Sequence, residues 1–185
     1  MSLRTRLIAL AAASLPVLAP AAALAADPQL KLPKFEHLQR NATESVNITI
    51  GKGLLHLASF ALRHDKHKRP EDAQALEILS GLKAIYIRSY EFPEDNMYSQ
   101  SDIDAVRAQL TGPGWTPLAQ VRQRRTEADA EDVDVYVSLE NDKVNGLAVV
   151  ASGARKFTIV NIVGSIDPEK LADVEERFGI PEHAL

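Results

Sequence analysis

Val133-Asp134-Val135-Tyr136-Val137-Ser138-Leu139-Glu140 alternates apolar and polar residues without a break. That period of two belongs to a strand with one buried face. Asn141-Asp142 supplies a tight turn, and Val144 to Ala151 returns. Ser152-Gly153-Ala154 turns again, and Phe157 to Val163 runs back as a third strand. This last strand is apolar on both faces apart from Asn161, which predicts a place inside the sheet. Three sequential strands joined by short turns predict a C-terminal antiparallel meander. A helix should follow it, with Asp167 as cap, Pro168 at its first position, an inner face of Leu171, Val174 and Phe178, and a stop at Gly179 and Pro181.

Upstream, Trp115 to Arg124 reads as a strand and Gly112-Pro113-Gly114 as the stop of a preceding helix. That helix takes Ser101 as its cap, with Asp104 three residues on and Ile103, Val106 and Leu110 facing inward. Ala84 to Phe92 is a strand rich in Ile and Tyr. Pro70 opens a helix with Leu76, Leu79 and Leu82 on its inner side, and Leu54 to Leu62 is apolar enough to predict a buried helix. Val46, Ile48 and Ile50 alternate as a strand, Gly51-Lys52-Gly53 turns the chain, and Lys34 to Ala42 predicts a first helix with Phe35 and Leu38 inside. The expected fold is a single α+β domain over residues 34–180. It has a mostly antiparallel sheet of about five to six strands, with helices packed mainly on one face.

The first 25 residues read as an address. Arg4 and Arg6 precede an apolar run from Leu7 to Ala23, and Ala23-Leu24-Ala25 fits a signal-peptidase site. Pro16 and Pro20 interrupt the run, which is short of the ~20 apolar residues of a comfortable membrane span. The expectation is a signal peptide over residues 1–25, a tether over 26–33, and a mature protein that is periplasmic or secreted, with no transmembrane segment. The full chain carries 21 basic and 25 acidic residues. Without Arg4 and Arg6 the balance is 19 against 25, or −6, which is poorly suited to nucleic acid. With no cysteine in the chain, thiol nucleophiles and thiolate metal sites are excluded.

Candidate chemistry is sparse. His64 and His67 are three residues apart beside Asp65, with His56 nearby, and could share a metal, although Lys66, Lys68 and Arg69 would repel a cation. Gly51-Lys52-Gly53 lacks the further glycine of a dinucleotide loop and the Gly-Lys-Ser/Thr ending of a Walker loop, so it reads as a turn. No Gly-x-Ser-x-Gly is present, and Gly164-Ser165 lacks the flanking pattern. The acidic run Glu127, Asp129, Glu131, Asp132, Asp134 lacks the spacing of a calcium loop. No catalytic residue and no cofactor is assigned.

A more suggestive feature is a mixed row of Tyr and Arg. Tyr86, Arg88 and Tyr90 share one side of their strand, Arg122 and Arg124 share one side of theirs, and Tyr136 sits between Asp134 and Ser138. Tyr and Arg are enriched at protein interfaces, so this row is the candidate surface for an envelope protein partner. The alternatives are a metal-binding protein or enzyme using His64 and His67, and a carrier whose helix Leu54 to Leu62 lines a cavity for a small apolar ligand.

Several stretches taken in order carry a family likeness. They are Leu32-Pro33-Lys34-Phe35-Glu36, Ile85-Tyr86-Ile87-Arg88-Ser89-Tyr90-Glu91-Phe92, Lys143-Val144-Asn145-Gly146-Leu147-Ala148-Val149-Val150, and Lys156-Phe157-Thr158-Ile159-Val160-Asn161-Ile162-Val163-Gly164-Ser165-Ile166-Asp167. From about Pro33 to Phe178 the chain resembles the bacterial domain-of-unknown-function 4252 family. The resemblance implies a small exported α+β protein, supplies no catalytic residues, and hints at a role in envelope signalling.

Overall fold

The structure, a computed structural model, describes residues 27–64, 70–123, 131–141 and 143–166. The elements are α1 (Glu36–Asn41), β1 (Glu44–Gly51), α2 (Lys52–His64), α3 (Pro70–Gly81), β2 (Leu82–Glu91), α4 (Gln100–Leu110), β3 (Trp115–Val121), β4 (Glu131–Glu140), β5 (Lys143–Gly153) and β6 (Lys156–Ile166). The six strands form one sheet in the order β1-β2-β6-β5-β4-β3, and every neighbouring pair is antiparallel. The mostly apolar β6 lies between β2 and β5, and its exposed residues, Lys156 and Ser165, sit near its two ends.

Alternation along each strand sorts the apolar residues into two cores. Tyr90 of β2, Phe157 and Ile159 of β6, Ala148 and Val150 of β5, and Tyr136 of β4 point to one face. Leu38 of α1 and Ile103, Val106 and Leu110 of α4 pack onto that face, together with Leu30, Phe35 and Phe92. The opposite row of β4 and β5 forms a second cluster of Val135, Val137, Val144 and Leu147. Full burial of one such side chain contributes ~1.5–3 kcal/mol. Helix α2 packs on α3 and lies against β1 and β2.

Phe35 enters α1 in a left-handed conformation, φ 49°, which is costly for a side chain of its size. Its ring meets Tyr90 and Phe157 near edge-on, with centroids 6.1 Å away in each case, so core packing holds the strained backbone in place.

Several expectations change at this level. Helix α4 is capped by Ser99 and not Ser101: Asp102 accepts from the Ser99 backbone N–H at 2.9 Å and from its hydroxyl at 2.7 Å. Ser101 instead shares a hydroxyl contact with Ser99 and lies two residues past the cap, inside the first turn. The strand from Trp115 ends at Val121. Residues 27–33 do not hang free as a tether. Leu30 is buried, and Gly146 makes room for the segment on the sheet, since a Cβ there would stand 2.5 Å from Pro28 Cβ. The signal peptide, the helix after Asp167, His67 and Arg124 lie outside the described residues.

Candidate interaction surface

Much of the Tyr/Arg row is interior. Tyr90 is 1% exposed and Tyr136 is 5% exposed, because α1 and α4 close over the face they share. Both rings therefore stabilise the core and present no surface to a partner. Arg88 is half-buried and donates from Nη1 to the Pro33 carbonyl oxygen at 2.8 Å. Tyr86, also half-buried, stands between Thr49 of β1 and Asn161 of β6.

Arg122 is committed to an internal carboxylate. Asp134 is fully buried on β4 and accepts from Arg107 Nε of α4 at 2.7 Å and from Arg122 Nη2. A bare carboxylate at that depth would be strongly unfavourable, and two guanidinium groups supply its charge and hydrogen bonds. A second polar contact pins α1 to α4, where His37 Nε2 meets Asp102 Oδ1 at 2.8 Å. Burial works to raise the Asp102 carboxyl's pKa, but the Ser99 hydrogen bonds and His37 outweigh it and hold the group below the ordinary carboxylate range.

Asn161 and Gln109 read the backbone of the N-terminal segment as a strand partner would. Asn161 Oδ1 accepts from the Leu30 N–H at 3.0 Å, while its Nδ2 donates to the Pro28 carbonyl at 3.0 Å and to the Leu147 carbonyl at 3.2 Å. Gln109 Oε1 accepts from the Lys31 N–H at 2.8 Å, and its Nε2 donates to the Lys31 carbonyl at 3.2 Å. The side-chain amide of Asn161, buried in the middle of β6, is thus fully used. Its sequence signal was a lone Asn in an apolar strand, which marks a buried polar group that must find partners.

Among the described residues, three exposed large apolar side chains sit together on α2. Leu54, Leu57 and Phe60 are 56%, 61% and 54% exposed. Leu55 and Ser59 are the buried members, with Ser59 Oγ donating to the Leu55 carbonyl at 2.9 Å. The expectation of a buried helix is corrected: α2 covers the sheet with one narrow side and shows a wide apolar arc outward. Lys52 and Arg63 lie along one border of the arc, and α2 carries no acidic residue. Leu54, Leu57 and Phe60 thus line no interior cavity of the kind a ligand carrier needs. His64 packs against Phe60 with ring centroids 4.1 Å apart and planes tilted by 30°, and its Nδ1 hydrogen-bonds the Phe60 carbonyl oxygen at 2.8 Å. Among the described residues no group of three or more His, Asp or Glu is placed to hold a metal ion. Gly164 adopts φ +140° where a Cβ would stand 2.4 Å from the Gly81 carbonyl oxygen, so Gly164-Ser165 serves close packing of β6 on the α3–β2 junction.

A family profile described as Domain of unknown function (DUF4252) matches residues 38–174, three quarters of the chain. No curated protein and no solved structure matches the chain.

Proposed function

The chain belongs to the Domain of unknown function (DUF4252) family, and from that premise we propose that it is a non-catalytic binding or regulatory domain of the bacterial cell envelope, exported by its N-terminal signal and acting in the periplasm or outside the cell. The observation that carries this reading is the exposed apolar arc of α2. Three large apolar side chains at over half exposure on one helix are more than scattered surface hydrophobes, and such patches mark contact sites. The basic border of the arc, on an otherwise acidic chain, favours a partner with an acidic border along an apolar groove. The half-buried Tyr86 and Arg88 are the remaining contributors from the sheet row.

The test is in-cell crosslinking of a tagged copy, followed by purification from the envelope fraction. The paired change Leu57→Glu and Phe60→Glu should abolish the dominant crosslinked partner. Both side chains are already exposed, so unfolding should shift by no more than ~0.5 kcal/mol. A crosslink pattern identical to wild type would defeat the α2 reading.

A further inference from the structure

The two edges of the sheet are built differently. Edge strand β3 carries Pro117 and a register break between Pro117 and Ala119, both of which discourage a further strand from pairing. Edge strand β1 carries neither device. Its eight residues, Glu44 to Gly51, run against β2 in unbroken register, and it contains no Pro, no Lys and no bulge. Among the described residues its outer edge pairs with nothing, and Glu44, Ser45, Asn47, Ile48 and Thr49 are exposed. A long, flat, partly apolar edge is a template for another strand.

The sequence of β1 says which strand fits. Place a second copy antiparallel to it, with a twofold axis perpendicular to the sheet at Ile48. Ile48 then faces Ile48, Val46 faces Ile50, and Asn47 faces Thr49. At the end of the pairing, Glu44 faces the Lys52 that follows the strand in the second copy. Apolar residues meet apolar residues on one face, polar meet polar on the other, and the terminal charges are opposite. Moving the axis to Asn47 keeps the faces but sets Glu44 against Ile50 and loses the charge pair. We infer that β1 is a self-recognition edge, and that the protein forms an isologous dimer with a continuous sheet running β1 to β1 through the axis at Ile48. An axis perpendicular to the sheet preserves its faces, so the two α2 helices lie on the same side, flanking the axis. The inference stands independently of what α2 binds.

Sedimentation equilibrium of the mature protein, from micromolar to submillimolar concentration, tests it. The wild type should be a dimer. Ile48→Lys sets like charges opposite each other across the axis and should leave a monomer with an unchanged circular dichroism spectrum. Glu44→Lys and Lys52→Glu should each weaken the dimer about tenfold, and the double variant should restore it, since each dimer contains two such pairs. That rescue is specific to the register and does not depend on Ile48→Lys folding. A monomer at every concentration overturns the inference, as does a dimer that survives Ile48→Lys with no response to the charge swaps. A dimer lost on Phe60→Glu but kept in Ile48→Lys would place the contact on α2 and overturn edge pairing too.

Discussion

Asp134 shows how little a residue's type reveals about its work. In sequence it is one polar position in an alternating strand. In the fold it is the charge that draws Arg107 of α4 and Arg122 beyond β3 onto β4. Asp134→Asn keeps the shape but leaves two converging guanidinium groups without their counter-charge. Both arginine side chains retain some exposure, 21% and 45%, and can turn partly to water. The expected cost is therefore about 2–4 kcal/mol, at or below the usual range for a broken buried pair. Arg122→Met should cost under ~1 kcal/mol, because Arg107 still serves the carboxylate. Urea unfolding of the two variants checks the order, and equal costs would contradict it.

The start of helix α4 responds to pH. Its first turn depends on an ionised Asp102, bonded to Ser99 and to His37. The folded-state pKa is lowered, so this carboxyl's contribution is fully present above the unfolded carboxylate value, near pH ~4. It is lost as pH falls through the lower folded value. Asp102→Asn should cost about 1–2 kcal/mol near neutral pH and flatten the acid limb of the stability curve below about pH 4. Chemical unfolding across that range would show it, and parallel curves for wild type and variant would refute it. Helix α2 teaches the opposite lesson about elements. A stretch as apolar as Leu54 to Leu62 is usually interior, yet only Leu55 and Ser59 of this helix are buried.

At the scale of the whole molecule, the N-terminal segment closes the structure across the widest side-chain hydrogen-bond separations among the described residues. Asn161 reaches residues more than 130 positions earlier, at Pro28 and Leu30. Asn161→Ala leaves the Leu30 N–H and the Pro28 and Leu147 carbonyls without that partner, with an expected loss of about 2–3 kcal/mol. The loss should be local first. Hydrogen exchange at Leu30 and Lys31 should speed up while the amides of β5 and β6 stay protected. Uniform acceleration across the sheet would instead place Asn161 in the global core and not in the docking of this segment. Long-range pairings, such as β2 with β6, make the sheet dependent on distant parts of the chain arriving together.

The family, the antiparallel α+β class, the interior place of β6 and the inner face of α4 were legible in the sequence alone, because periodicity, turn residues and residue order are local properties. The Tyr/Arg row was legible as a row for the same reason. Only the tertiary structure decided that α1 and α4 cover it, turning Tyr90 and Tyr136 from candidate contacts into core, and that Arg122 is held by Asp134. It also decided that residues 27–33 are docked and that α2 turns Leu54, Leu57 and Phe60 outward. Alternation tells which side chains lie together on one face, but not what lies above that face. That depends on packing between segments far apart in sequence, and so does the position of β1 at an unguarded edge.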